Sequence, residues 1–332
     1  MGSFLLVILL TYLGLLAVTF FIGRVIPIDP VLAIVGDRAP EHVIARVREE
    51  LGLNKPLWEQ FYIYLSKVLQ GDFGTSVLTS NPVMQDIRRT FPATIELATL
   101  GIIIGAGIGV PLGVWAAVRR GGLVDQVVRV MGLIGYSVPI FWLGLMGLVL
   151  FYARLGWVSG PGRIDVTYEY TLTTVTGFLL LDAARAGQWD AFGNVLSHLI
   201  LPASLLGYFS LAYISRMTRS FMLNELAQEY VIAARAKGLS ETRIIWRHAL
   251  RNALIPVITI LGLVFGFLMA GNAVVESVFG WPGIGNYAVT ALMTKDSGPI
   301  QSFVLFVAVM YVVVNLVVDL VYGLMDPRIR LA

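Results

Sequence analysis

Long apolar runs separated by charged segments set the organisation of this chain. Ser3 to Gly23 carries no charged side chain and is long enough to cross a hydrocarbon core of ~30 Å. Leu97–Val118, Val130–Ala153, Leu199–Ser215 and Ala253–Val275 repeat the pattern. Ile300–Leu324 repeats it with one charge inside, Asp319. These runs predict six transmembrane helices and an all-α polytopic membrane protein. Pro139 predicts a kink in the third span. A signal peptide would place a shorter apolar core behind a basic start. Met1-Gly2-Ser3 has no basic residue and Arg24 follows the run, so the first run reads as an uncleaved span.

The polar stretches have their own pattern. Residues 1–24 form the first span and 25–92 a helical region outside the spans. Within it Pro40 opens a helix with Val43, Ile44, Val47 and Leu51 on one face. Asn54 and Pro56 open a second, with Leu57, Phe61, Tyr64, Leu65 and Val68 aligned. Residues 71–76 read as a turn, and Asn81-Pro82 starts a third, short helix. Residues 93–325 hold the other five spans, and 326–332 form a tail. Between spans three and four, Thr171–Leu181 is apolar but too short to cross, so it reads as interfacial or packed on the span ends.

Composition adds exclusions. The chain of 332 residues is 57% hydrophobic and 14% charged, against about 25% charged in soluble domains. It has no Cys, so neither a disulfide framework nor a thiolate metal site can form. His42, His198 and His248 are the only histidines, and none has a ligand partner at helical spacing. No nucleophile elbow or other catalytic constellation is present, so no chemistry is expected within the chain. No GxxxxGK[ST] loop is present either, so any ATP that drives the protein must bind another chain. Charge distribution decides topology. Segments 119–129, 216–251 and 326–332 hold 12 of the 24 basic residues and five of the 21 acids. All three lie on one side of six spans, so the positive-inside rule places that side and both termini in the cytoplasm. The 25–92 region then lies outside.

The basic stretch from Glu229 to Pro256 carries the most functional information. Ala, Arg and Lys in Tyr230–Lys237 favour helix. Gly238 stands where a left-handed turn ends such a helix, and Ser240 can cap a second helix begun by Glu241. The result is a helix–turn–helix at the membrane surface. Ala233 and Ala234 give it a face with little bulk that another protein could approach closely. Ala233-Ala234, three residues, Gly238, then His248-Ala249-Leu250-Arg251-Asn252 and Pro256 resemble the "EAA" loop of ABC importer permeases, and most closely the dipeptide/oligopeptide/nickel permease family. Ile232 stands where the loop usually has an acid. Further similar motifs are Ile26-Pro27-Ile28-Asp29-Pro30, residues 71–76, Tyr136–Trp142, Glu276–Gly285, and Asn315, Asp319, Asp326-Pro327-Arg328. Ile28 replaces a frequent Gly, and the usual Arg before the first span is missing.

The resemblance covers nearly the whole chain and implies a type I ABC importer permease fold of six transmembrane helices. It implies a paralogous permease partner, two ATPase subunits that bind ATP and Mg²⁺, and a periplasmic solute-binding protein. It implies a multi-pass protein of the bacterial inner membrane, with no cofactor in this chain and no nucleic-acid partner. Tyr230, Ala233, Ala234, Arg235, Lys237, Gly238 and Leu239 then form the coupling helix that docks on an ATPase. His248, Arg251, Asn252 and Pro256 support the loop. Ser137, Tyr208 and Asn272 are candidates to line the solute pathway. Asp319 reads as half of a structural ion pair with Arg129 or Arg216, in preference to a proton or solute site. An ion-coupled transporter would want mid-membrane charges and inverted repeats, and a membrane enzyme would want catalytic residues; the sequence offers little of either.

Overall fold

The structure, a computed structural model, describes residues 2–25, 31, 35, 36, 39–50, 52–271, 273–294 and 296–325. Among the described residues all regular elements are helical, and one isolated β-bridge joins Thr75 to Pro82. Residues group by contact into two compact units, Met1–Pro92 with Pro282–Met310, and Ala93–Trp281 with Tyr311–Ala332.

The first unit begins with α1 (Gly2–Val25), then α2 (Glu41–Glu50) and α3 (Leu57–Leu69). The Pro40 and Pro56 starts are observed, because a proline in the first turn loses no helical hydrogen bond. Phe20 of α1 packs edge-on to Phe61 of α3 at 5.4 Å between centroids. A second cluster joins Val83 and Ile87, at the start of α4 (Val83–Val118), to Ile284 and Tyr287 of α14 (Ile284–Met293). Two buried carboxylates fix the intervening loop. Asp296 accepts hydrogen bonds from Ser76 Oγ at 2.8 Å and the Val77 amide at 2.6 Å. Asp86 accepts from Asn81 Nδ2 and the Tyr287 hydroxyl, each at 3.2 Å. The helix expected to be short after Pro82 is a correction: α4 runs unbroken to Val118. Pro92 and Pro111 lie inside it without ending it, as membrane helices tolerate.

In the second unit α5 (Leu123–Ser137) is followed by α6 (Ile140–Gly147), which continues as a π-helical turn over Leu148–Arg154. The single kinked span expected over 130–153 is instead two helices bent by 98°. Val138 and Pro139 between them are both extended, because a proline disfavours helical backbone in the residue before it. Short helices α7 (Val166–Glu169) and α8 (Leu179–Arg185) precede the long α9 (Trp189–Leu226). The region over Thr171–Leu181 is thus loop and the start of a short helix, and does not span.

Glycines at 101, 105, 109 and 113 line the face of α4 that meets α9. A Cβ added at Gly105 would lie 2.3 Å from Ser210 Cβ, and one at Gly113 would lie 2.6 Å from the Ser215 carbonyl oxygen. Such a stripe lets two helix backbones approach closely where lipid offers no hydrophobic driving force. Glu96 and Arg163 form a buried ion pair at 2.5 Å, and Arg163 also donates to the Gly177 carbonyl at 2.7 Å. Buried Glu276, in α13 (Ala273–Val278), accepts from Thr94 Oγ1 at 2.6 Å.

Among the described residues four helices are apolar and long enough to cross a membrane, and a fifth span results if α5 and α6 count as one. α1 adds a helix of 24 residues, or ~36 Å at the helical rise of 1.5 Å per residue.

Candidate coupling site

The expected helix–turn–helix is present. α10 (Glu229–Ala236) ends at Lys237, and Gly238 takes φ +77°. The Gly238 amide donates to the Arg235 carbonyl at 2.9 Å and the Leu239 amide to the Ala234 carbonyl at 3.2 Å. This closes the helix through a left-handed residue, which glycine alone adopts at no steric cost. Ser240 is extended and precedes α11 (Glu241–Arg243), although its side chain makes no capping bond. The chain continues through π-helical Ile244–Ala249 into α12 (Leu250–Gly271).

The loop has its own small core of Val231, Ala234 and Ile244, with Tyr230 and Leu239 packed against it. The expected bare alanine face is corrected by this. Ala234 points inward and is buried, because it sits three residues from Val231 on the stripe that meets Ile244. Ala233 is exposed, beside an exposed Ile232. The accessible surface of α10 therefore runs through 232, 233 and 236. Arg235 pairs with Glu241 across the turn at 2.7 Å, and that carboxylate raises the Arg235 pKa.

Tyr230 ties the loop to the end of α9, where its hydroxyl donates to Glu225 Oε2 at 2.6 Å. Burial and the Glu225 carboxylate push the Tyr230 pKa up to about 12. Behind α10 lies a cavity of about 180 Å³ lined by Tyr230, Arg247, His248, Arg251 and Asn252. Three of the expected supporting residues are thus brought together there. None of the five lining residues is acidic, which suits the cavity to an anionic group. Pro256 lies further on, inside α12.

The pathway candidates fall differently. Tyr208 donates its hydroxyl to the Met131 carbonyl at 3.0 Å, which ties α9 to α5. Ser137 is exposed at the end of α5, just before the break. Asn272 lies outside the described residues, as do the 26–30 motif and the 326–332 tail. Arg129 is held by Asp125 at 3.1 Å, not by Asp319, which is exposed on α15 (Ser297–Met325). Sequence reading missed the Asp125 cluster and the glycine stripe. The stripe had a signal, glycine at every fourth position, whereas Asp125 is 94 residues from Arg219, the partner it meets in space.

The family of binding-protein-dependent transport system inner membrane components matches residues 109–331. Its N-terminal membrane component matches residues 2–98. The chain belongs to this family. The chain is 45% identical to the probable D,D-dipeptide transport system permease protein DdpB of Escherichia coli, over 97% of this chain and 94% of that protein. It is 43% identical to the di/tripeptide transport system permease protein DppB of Pseudomonas aeruginosa, over 96% of this chain and 95% of that protein. Among solved structures it shares its fold with the MetNI methionine ABC transporter in inward-facing conformations, with TM-score 0.53 and 15% identity. That match covers 73% of this chain and 97% of the other. The fold is that of a type I ABC importer permease, and the protein is a transport permease.

Proposed function

We propose that this permease is one half of the translocation pathway of an ATP-binding-cassette importer for di- or oligopeptides. A periplasmic binding protein delivers the solute outside. Two ATPase subunits bind ATP and Mg²⁺ in the cytoplasm, and a paralogous permease forms the other half of the pathway. The chain sits in the bacterial inner membrane with both termini cytoplasmic, as its charge distribution favours. It performs no chemistry itself. The peptide class is drawn from relatives named as dipeptide and di/tripeptide permeases.

The observation that carries the coupling reading is the closed turn of α10 at Gly238, with its own buried core. A short helix folded around three inward residues is a rigid body. It can transmit displacement from a docked ATPase into α9 and α12, between which it is inserted. Ile232, Ala233 and Ala236 form the docking face, and His248, Arg251 and Asn252 at the cavity support the loop behind it. ATP-driven approach of the ATPases moves the two coupling helices together and opens the pathway outward, which is alternating access about a central site.

The test is reconstitution of this chain with its partner permease, ATPases and binding protein in vesicles. The proposal predicts that ATP hydrolysis rises with peptide-loaded binding protein and that peptide accumulates only with ATP inside reach of the ATPases. Accumulation driven by a proton or sodium gradient without ATP would overturn it.

A further inference from the structure

Asp125 lies near the start of α5 and is fully buried. Its carboxylate accepts five hydrogen bonds from three residues. Arg219 of α9 forks onto both oxygens, Nε to Oδ1 at 2.5 Å and Nη2 to Oδ2 at 2.9 Å. Arg129, one turn along α5, donates to the same two oxygens at 3.3 and 3.1 Å. The Gly121 amide, in the preceding turn, donates to Oδ2 at 2.8 Å. One carboxylate thus fixes the 119–122 turn, α5 and the far third of α9 together. Arg219 is only 17% exposed, so water screens this pair little.

The place of the clamp matters more than its strength. Arg219 stands seven residues before the end of α9, and the coupling helix begins three residues after that end. Tyr230 of the coupling helix holds Glu225 on the last turn of α9. Eleven residues before Arg219, ~16 Å along the helix, Tyr208 makes a further hydrogen bond from α9 to α5, at Met131. Gly135 then lets α5 ride close to α9, since a Cβ there would lie 3.0 Å from Ala212 Cβ. α5 ends at the Val138–Pro139 break, with Ser137 exposed beside it. An unbroken series of contacts therefore leads from the coupling helix to the bend in the third span.

We infer that Asp125 and Arg219 are positioning residues for transport: their clamp makes α5 follow α9, so that movement of the coupling helix reaches the bend at Val138–Pro139. The inference rests on the importer reading above. A planar fork on a buried carboxylate resists sliding as well as separation, whereas apolar side chains along the same contact allow both. Without the clamp, α9 still follows the ATPases and α5 lags. Hydrolysis then continues while the pathway fails to open.

Removing one partner alone leaves a buried unpaired charge and endangers folding. The decisive variant is therefore the neutral pair, Asp125→Asn with Arg219→Gln, in the complete reconstituted complex. Arg219→Lys, which keeps the charge and loses the fork, is the second variant. Each is measured for ATPase co-purification, ATP hydrolysis, and peptide molecules imported per ATP hydrolysed. The expected result is normal assembly, retained hydrolysis, and a fall of about tenfold in peptide per ATP, the scale of an ordinary coupling energy. A purely structural role would lower protein yield and leave peptide per ATP unchanged in the molecules that assemble. Unchanged peptide per ATP in both variants overturns the clamp's role and leaves the importer reading intact. Uptake by the unaltered complex that ignores ATP overturns both.

Discussion

Gly238→Val isolates the docking turn from everything around it. Gly238 has φ +77°, and a Cβ built there meets no atom within 4 Å. The substitution therefore creates no clash with its neighbours, and its whole cost is conformational. A left-handed backbone costs a residue with a Cβ about 1–2 kcal/mol, and a β-branched side chain fits that region worst. A cost of that size changes the ratio of closed to open turns by a factor of about 5–30. Opening the turn releases the Leu239 amide from the Ala234 carbonyl and withdraws Leu239 from the loop core. The assay is ATP-dependent peptide uptake by reconstituted complexes, alongside ATPase co-purification. Val should lower both, by up to that factor where the open turn comes to dominate, and Ala should do so more mildly. Asn, which tolerates left-handed backbone, should restore most of the loss. Full activity in Gly238→Val would refute the reasoning, and so would Asn doing as much damage as Val.

Three further outcomes follow from the geometry. Ala233→Glu should fold normally and lose ATPase binding, whereas Ala234→Glu should disrupt the Val231–Ile244 core and lower the yield of folded protein; limited proteolysis of the loop separates the two. Gly105→Ala forces a Cβ to 2.3 Å from Ser210 Cβ, so it should cost about 1–3 kcal/mol and lower the melting temperature in detergent. Asp182 is buried, which raises its pKa, but bonds from Thr176 and from the Val175 and Gly177 amides outweigh this and hold it low. Its stabilisation is therefore present above the ordinary carboxylate pKa and lost as pH falls through the lowered one. Protection factors against hydrogen exchange at 175–177, taken relative to the intrinsic rate at each pH, should fall on acidification, and in Asp182→Asn that change in protection should vanish.

Local chemistry was legible in the sequence and long-range pairing was not. Gly238 announced a left-handed turn, and Pro40 and Pro56 announced helix starts, because each acts through its own backbone. Ala234 could have been assigned inward from its spacing to Val231, but its partner Ile244 lies across a turn whose geometry only folding sets. Val138 before Pro139 carried a signal for a break, yet an unbroken apolar run outweighed it in the reading of a single span. The pairs Glu96–Arg163 and Asp125–Arg219 join residues 67 and 94 positions apart. No periodicity encodes such partners. The solute pathway was the least legible, since one candidate, Tyr208, turns out to spend its hydroxyl on α5.

The most direct test of the account uses the absence of cysteine from the chain. A single cysteine at Ala233, on the exposed face of the coupling helix, is treated with a short thiol-to-amine cross-linker in the native complex. Val175, exposed in the segment between α7 and α8, provides a site that the proposed topology puts on the other side of the membrane. The account predicts an adduct with an ATPase subunit from Ala233→Cys, strengthened by trapping the complex with ATP, and none from Val175→Cys. No ATPase adduct from Ala233→Cys in an assembled, active complex, or an equal adduct from Val175→Cys, would contradict it.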